Sequence, residues 1–339
     1  MKNTIINIVL AIFFIFGFYF GSTVSFNRDN PVFDFSANAA MIPESDKKDS
    51  LYKLSSILSG TLRLDLDNSE KDETESAPSP TPDYPKNTPV LASNAGEKLN
   101  IKNDTPYDVN IDELLAEPLL KHSDKIKVLI LHTHTSEAYT PSENYPYDMT
   151  DSYRTRLEDR NVVAVGNVIE NILGDNGIEV IHDKTSHDYP SYTGSYRRAL
   201  ETIEKNLAAN PDISLVLDIH RDAIADENGN YLKTQAVIDG NTCAQAMLVV
   251  GTDYGGLEHP NWRENLKYAL HIQKIMCKKY PSLARDIHLR EERFNGHARE
   301  GELIIEVGSN GNTLDEAIKC AEYVANCIVQ MINEESQTS

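Results

Sequence analysis

The chain has 339 residues, with 52 acidic and 32 basic side chains and a formal net charge of −20 at pH 7. Hydrophobic residues make up 40% and charged residues 25%, which excludes a fully disordered chain and a many-pass membrane protein. The negative charge repels phosphate, so we predict no nucleic-acid partner. Four cysteines without a C-x-x-C pair are too few for a disulfide scaffold or a thiolate zinc site, and we expect buried free thiols.

An apolar run near the N-terminus predicts a membrane anchor. Residues 4–20 carry no charge, and a run of about 17 to 20 apolar residues suits one crossing of a hydrocarbon core of ~30 Å. A cleaved signal peptide is the alternative, although its small-x-small cleavage site is poorly matched by the residues that follow. We predict a single transmembrane anchor over residues 1–25, with the large domain that follows it outside the cytoplasm.

Two further segments separate this anchor from the folded domain. Residues 26–64 form a short membrane-proximal region, in which apolar spacing predicts a helix from Ser50 to Leu64. Residues 65–124 are an acidic linker rich in proline and serine, whose composition changes most clearly up to residue 105. Such a segment buries too little apolar surface to fold, so we predict an extended tether.

Residues 125–335 have the pattern of a folded α/β domain. Short apolar runs typical of buried strands alternate with segments of helical spacing. This alternation predicts a mostly parallel central sheet flanked by helices on both faces. In such folds the active site lies beyond the carboxyl ends of the strands. The predicted strands are 126–131, 178–182, 213–219, 235–238, 246–250 and 303–307, and the predicted helices are 161–173, 196–207, 261–279 and 314–332.

Imidazole and carboxylate side chains follow or end three of these strands. His134 and Glu137 come after the first strand, His220 follows the strand 213–219, and Glu306 lies in the last strand. A catalytic zinc ion usually has three protein ligands plus water. We predict that His134, Glu137 and His220 hold Zn²⁺, and that Glu306 is the free carboxylate that accepts a proton from water and passes it to the leaving amine.

Two choices of ligand remain open at the level of these residues. His132 lies two positions before His134, so on an extended strand both would point to one face and either could bind the ion. Glu158, before the helix 161–173, is a second candidate for the carboxylate ligand. Glu302, close to Glu306, is expected to be a surface charge.

The residues around the predicted site resemble the stage II sporulation protein P family, the membrane-anchored peptidoglycan hydrolases of endospore-forming bacteria. The match is carried by VLILHTHTSEAYTP, NVVAVGNVIE, VIHDKTSHDYPSYTGSYRRAL, LVLDIHRDA and LIIEVGSN, across about 128–310. The arrangement is more distantly similar to the zinc-dependent N-acetylmuramoyl-L-alanine amidases. The resemblance to the amidases favours His134 over His132, but it places the metal-binding glutamate near Glu158. We choose Glu137 because the compact H-x-x-E unit belongs to the motif of the stage II sporulation protein P family.

The resemblance implies cleavage of the amide between N-acetylmuramic acid and L-alanine during sporulation and engulfment, with an associated endopeptidase activity on stem-peptide cross-links. It implies that Arg221 orients Glu306 or binds a stem-peptide carboxylate. The implied partners are peptidoglycan, the cytoplasmic membrane and the stage II sporulation proteins D and M. The implied location is the intermembrane space of the sporangium. Another zinc hydrolase of the cell wall, a peptidase or a deacetylase, and a non-catalytic wall-binding scaffold are the alternatives.

Overall fold

The structure is a computed structural model that describes residues 88–91, 98–120, 123, 125–148, 150 and 152–337, and two short strands nearer the N-terminus. These strands, β1 (Thr23–Phe26) and β2 (Phe33–Ser36), pair antiparallel. The chain divides into two compact units, Met1–Ser79 and Pro80–Ser339. The apolar run 4–20 and the predicted helix 50–64 lie outside the described residues. Within the part that the structure describes, no helix is both long and apolar enough to span a membrane.

A seven-stranded sheet forms the centre of the second unit. Its strands are β3 (Ile101–Asn103), β4 (Lys127–Leu131), β5 (Val180–His182), β6 (Ile213–Asp222), β9 (Ala246–Gly251), β10 (Ile287–Arg290) and β11 (Glu302–Ser309). The strand order is β3-β10-β9-β11-β6-β4-β5. All neighbours are parallel except β9 and β11, which are antiparallel. A separate antiparallel pair, β7 (Ala236–Ile238) and β8 (Asn241–Cys243), lies outside this sheet.

Helices cover the sheet on both faces, as the sequence predicts. The helices of the described residues are α1 (Ile111–Ala116), α2 (Val162–Asp175), α3 (Ser195–Ala209), α4 (Trp262–Lys279) and α5 (Leu314–Gln337). Helices α2, α4 and α5 contribute to the larger apolar core on one face, whereas α3 packs on the other face. The predicted mostly parallel α/β fold is therefore confirmed, with one antiparallel junction inside the sheet. The four cysteines are free and buried.

Strand β4 illustrates why an uninterrupted apolar run folds as a central strand. Side chains alternate between the two faces of a strand. Val128 and Ile130 therefore join the core under α2 and α5, while Leu129 and Leu131 join the core under α3. All four side chains are fully buried. Because both faces are covered, no position along this strand favours a polar side chain.

The folded unit extends into the segment that the sequence assigns to the linker 65–124. Strand β3 pairs with β10 at the edge of the sheet, and α1 places Leu114 in the core. Leu119 is also buried, and Tyr107 stacks on Trp262 with ring centroids 5.1 Å apart. The predicted linker boundary at residue 124 thus differs from the structure, because residues 98–120 bury apolar side chains against the domain.

Candidate metal centre

The three strands that carry the predicted site residues are neighbours in the sheet. Strand β6 lies between β11 and β4, and the Cα of Glu306 is in register with that of His220. The carboxyl end of β4 reaches Leu131, and residues 133–136 then form a turn that leads to Glu137. His134, Glu137, His220 and Glu306 therefore meet at one edge of the sheet.

His134, Glu137 and His220 form a compact set of potential ligands. Each offers one ligand atom, and these atoms lie within 4.8 Å of one another. The Nδ1 atom of His220 lies 3.4 Å from Oε2 of Glu137, and the rings of His134 and His220 are 5.3 Å apart at their centroids. Two tetrahedral ligands at the usual zinc bond length of about 2.1 Å are roughly 3.4 Å apart. The spacing and chemistry of the set therefore suit one zinc ion.

The alternatives left open by the sequence lie elsewhere. His132 points under α2, where its Nδ1 donates to the Ile219 carbonyl at 2.9 Å and its Nε2 lies 2.9 Å from Nε2 of His182. The expectation that His132 and His134 share a face is wrong, because the strand ends at Leu131 and the following turn separates them. Glu158 is exposed and stands outside the set.

The protonation of His134 and Glu137 suits metal binding, whereas His220 would have to release a proton to bind an ion. Burial lowers the pKa of His134 to about 4, so its imidazole is neutral at neutral pH. Burial would raise the pKa of Glu137, but His220 and Arg221 hold it well below its ordinary value. Arg154 also lies 3.3 Å from Oε1 of Glu137. Glu137 is therefore ionised and held in place by charged neighbours.

Asp218 lies behind His220 and was not identified from the sequence. Its Oδ1 lies 2.9 Å from Nε2 of His220, and it accepts hydrogen bonds from the backbone N–H and the hydroxyl of Thr133 at 2.7 and 2.6 Å. Burial works against a charged imidazole, but Asp218 and Glu137 raise the pKa of His220 well above its ordinary value. A carboxylate behind a metal-facing imidazole fixes the orientation of the ring. Asp218 is therefore placed to orient the ring of His220 through their opposite charges.

Glu306 lies beside this set with one oxygen free. Burial raises its pKa to about 8, and the charge of Asp222 raises it further. Its Oε2 is buried and finds no hydrogen-bond partner among the described residues. Met247 lies opposite Glu306 on β9 and provides an apolar neighbour. Glu306 is therefore a carboxyl group that can take up or release a proton close to neutral pH.

Arg221 does not have the orientation that the resemblance implies. Its side chain is buried, and its guanidinium donates to the backbone carbonyls of Ala138, Ser152 and Tyr153. The backbone N–H of Arg221 also donates to Oε2 of Glu137 at 3.3 Å. Arg221 therefore fixes the loops around Glu137. Its guanidinium is committed to carbonyl groups inside the protein, which corrects the expectation that it binds substrate.

Aromatic side chains cover the site on the side of α3. The ring of Tyr192 stacks on His134 at 4.5 Å with an interplanar angle of 11°. Tyr196 meets His134 edge-on at 5.5 Å and also contacts Phe294. These rings limit the access of water to His134, and the ring of Tyr192 is itself largely exposed to solvent.

One of the residues missed by the sequence analysis carried a detectable signal. Asp218 is a single acid within the apolar run ISLVLDI, which is the same anomaly that identified Glu306. Arg154 and Tyr192 carried no such signal, because they reach the site only through loops whose position depends on the tertiary fold.

Comparison with solved structures finds proteins that are similar over part of this chain. Similar solved structures include the CwlD amidase from Clostridioides difficile, in a complex with the GerS lipoprotein, at 12% identity and a TM-score of 0.38, covering 63% of this chain and 100% of that one. The N-acetylmuramyl-L-alanine amidase Ami1 from Mycobacterium smegmatis has 10% identity and a TM-score of 0.37, covering 64% of this chain and 100% of that one.

Sequence comparison gives a more direct relation. Stage II sporulation protein P of Bacillus subtilis (strain 168) is 29% identical over 219 residues, which cover 61% of this chain and 51% of the relative. The match thus spans about half the length of that curated relative. The family model for Stage II sporulation protein P (SpoIIP) matches residues 36–329. The chain therefore belongs to the stage II sporulation protein P family.

Proposed function

We propose that this protein is a zinc-dependent peptidoglycan hydrolase that cleaves the amide bond between N-acetylmuramic acid and L-alanine. The observation that carries the proposal is the buried set His134, Glu137 and His220, whose ligand atoms lie within 4.8 Å, beside the free oxygen of Glu306. A zinc ion held by the three side chains would polarise the amide carbonyl and acidify water.

The surrounding side chains have distinct roles in this proposal. Glu306 takes the proton from the attacking water and gives it to the leaving amine, for which a pKa of about 8 is well suited. Asp218 holds the ring of His220, and Arg154 holds Glu137 from the opposite side. Tyr192 covers His134 and excludes bulk water, which strengthens the electrostatic interactions inside the site.

The proposed location follows from the substrate. Peptidoglycan lies outside the cytoplasmic membrane, and an anchor over residues 1–25 would keep the enzyme close to nearby wall. We therefore propose a single-pass membrane protein whose catalytic domain lies in the intermembrane space of the sporangium. Family membership further suggests the stage II sporulation proteins D and M as partners.

A pair of glutamate variants tests the catalytic role. We expect Glu306→Gln to retain about one zinc per chain, because Glu306 is outside the ligand set, and to lose lysis of purified peptidoglycan by at least about 100-fold, as expected for the loss of general acid–base catalysis. Elemental analysis measures the zinc, and the release of soluble muropeptides measures lysis. Glu158→Gln is the matched control, since Glu158 is exposed and outside the site. This variant should retain both the bound zinc and the lysis of peptidoglycan.

The chemical ends of the products identify the bond. New N-terminal L-alanine together with peptide-free muramic acid supports the amidase. New amines within the stem peptides would instead assign the site to endopeptidase activity on cross-links, and free amines on the sugars would indicate a deacetylase. Protein that binds no zinc and lyses no wall would reject an enzyme and leave the wall-binding scaffold.

A further inference from the structure

Two arginine–tyrosine pairs lie next to the turn that carries His134 and Glu137. The guanidinium of Arg154 lies 4.9 Å from the centre of the Tyr192 ring, and that of Arg156 lies 4.5 Å from the centre of the Tyr189 ring. Tyr192 in turn stacks on His134. Tyr189 and Tyr192 are 54% and 56% exposed, so both rings are accessible to a ligand. We call Arg154, Arg156, Tyr189 and Tyr192 the arginine–tyrosine shelf.

The two arginines of the shelf differ in what they pair with. Arg154 forms ion pairs with Glu137 and Asp188 at 3.3 and 3.0 Å and donates to the hydroxyl of Ser136. Its charge is therefore neutralised inside the protein. Arg156 is exposed, and across the described residues from 88 to 337 it has no ion-pair or hydrogen-bond partner besides its contact with the Tyr189 ring. The guanidinium of Arg156 is therefore available to a ligand.

The shelf is fixed relative to the site by a network of hydrogen bonds. Asp188 accepts hydrogen bonds from both the backbone N–H and the hydroxyl of Ser136 at 3.1 and 2.6 Å. The backbone carbonyl of Ser136 accepts a hydrogen bond from Thr155 N–H at 2.9 Å. Ser136 belongs to the turn between His134 and Glu137. The segments that carry Arg156 and Tyr189 are thus both bound to the turn that carries two of the proposed ligands.

The chemistry of the shelf suits a carboxylate. A guanidinium recognises a carboxylate through two parallel hydrogen bonds, and stacking on an aromatic ring leaves its N–H edge free. The chain as a whole carries a net charge of −20, so an anionic ligand is attracted only where a local positive charge is unpaired. Arg221, which the sequence analysis suggested for this role, is buried and committed to backbone carbonyls.

We propose that Arg156, supported by Tyr189, binds a free carboxylate of the stem peptide and so makes the enzyme selective for stems that are not amidated. This inference rests on the proposed function, because it takes the stem peptide as part of the substrate. Arg154 completes the shelf by neutralising Glu137 and Asp188, which would otherwise repel that carboxylate. Tyr189 provides the ring that keeps the guanidinium of Arg156 in position.

Kinetics on two soluble muropeptides test the proposal. The substrates differ only in whether the stem carboxylates are free or amidated. The wild-type protein should have a KM about fivefold lower for the free acid, as expected for one largely exposed charge pair. Arg156→Gln should raise KM about fivefold for the free acid, leave KM for the amidated substrate unchanged, and leave kcat unchanged for both. Arg156→Lys should restore part of the preference.

Arg197→Gln is the matched control. Arg197 is an exposed arginine on α3 that pairs with Glu201, so its removal should change neither KM. An equal change in KM for both substrates, or no change for either, would overturn the role of Arg156.

A binding experiment separates this proposal from the proposed function. If the wild-type protein cleaves neither muropeptide, the proposed hydrolase activity fails while the carboxylate site is still measurable. Calorimetric titration of the protein with the free-acid and amidated stem peptides then gives two dissociation constants. Arg156→Gln should weaken binding of the free acid about fivefold and leave the amidated peptide unaffected. Equal binding of both peptides by the wild-type protein would reject the shelf as a carboxylate site.

Discussion

At the scale of single residues, three acids on one face of the sheet have different charge states. Asp218, Glu302 and Glu306 project from the neighbouring strands β6 and β11 towards α3. Burial raises the pKa of each carboxyl, but the adjacent His220 lowers the pKa of Asp218 below its ordinary value. His220 also lowers the pKa of Glu302 and Glu306, but burial outweighs this effect and raises the pKa of each to about 8. The direct approach of His220 to Asp218, at 2.9 Å, therefore decides which acid is ionised.

Glu302 gives a prediction for the pH dependence of stability. It is 4% exposed, which shows that the expected surface charge was wrong, and its Oε1 has no hydrogen-bond partner in the described part of the chain. Because its folded-state pKa is about 8 and the ordinary value is 4.5, the folded state binds the extra proton between these pH values. The contribution of Glu302 to stability is thus complete below pH 4.5 and is lost progressively as the pH rises from 4.5 to 8.

We therefore expect Glu302→Gln to stabilise the protein near neutral pH. A neutral amide avoids ionisation, so the gain is about 3 kcal/mol at pH 7, with almost none at pH 4. Urea unfolding at both pH values measures the free energy of unfolding. Glu227→Gln, an exposed control, should change it at neither pH. A gain that is the same at pH 4 and pH 7 would show that burial does not perturb the ionisation of Glu302.

At the scale of helices and strands, the sequence predicted the elements with strong periodicity. Strands β4, β6 and β11 were predicted because their apolar runs are continuous, and helices α2 to α5 because their apolar positions repeat at helical spacing. Strand β3 and helix α1 were missed because they have three and six residues, too few to show a period. Strand β10, IHLR, alternates polar and apolar residues over only four positions and was missed for the same reason.

The part of the candidate site that lies on or directly after the strands was also predictable from the sequence. His134, Glu137, His220 and Glu306 follow or end strands, so strand order alone brings them together. The direction of His132 was not predictable, because it depends on where β4 ends and the turn begins. The positions and partners of the Arg221 and Arg154 side chains depend on loop contacts between residues far apart in the chain. A single sequence contains no information on such contacts.

Helix α2 provides a prediction at this scale, through the glycine that faces the sheet. A methyl group added at Gly166 would lie 2.8 Å from Cε1 and Nε2 of His182 and 2.9 Å from Cε1 of His132. The two imidazoles lie 2.9 Å apart at their Nε2 atoms, and Nδ1 of His182 lies 2.9 Å from Glu170, so neither ring can move freely. Gly166→Ala should therefore destabilise the protein by about 1–3 kcal/mol, despite the better helix propensity of alanine.

Gly174→Ala in the same helix is the matched control. No described atom lies within 4 Å of a methyl group at this position, so the substitution should stabilise the protein by up to about 1 kcal/mol through helix propensity. Urea unfolding of both variants measures the difference. If the Gly166→Ala variant is as stable as the Gly174→Ala variant, α2 does not pack closely on His132 and His182.

At the scale of the whole molecule, the acidic surface and the arginine–tyrosine shelf have opposite effects on an anionic substrate. In the proposed function the substrate is an anionic polymer, so the net charge of −20 slows its approach, whereas Arg156 attracts its carboxylates next to the proposed site. The general repulsion is long-ranged and is screened by salt, while the contact at Arg156 is local. Selectivity for a carboxylate therefore depends on the shelf and not on the overall charge.

The extent of the folded unit gives the last prediction. A chain that begins at Pro80 contains β3 and α1, whereas a chain that begins at Lys125, the domain boundary expected from the sequence, lacks them. Without residues 80–124, strand β10 becomes an unpaired edge, and the core loses Leu114 and Leu119. Fully burying a leucine contributes about 1.5–3 kcal/mol, so the shorter chain should be less stable by about 3–6 kcal/mol. Urea unfolding of the two chains, both without residues 1–79, measures this difference directly. Equal unfolding midpoints would restore the boundary at residue 124, since β3 and α1 would then add nothing to the stability of the domain.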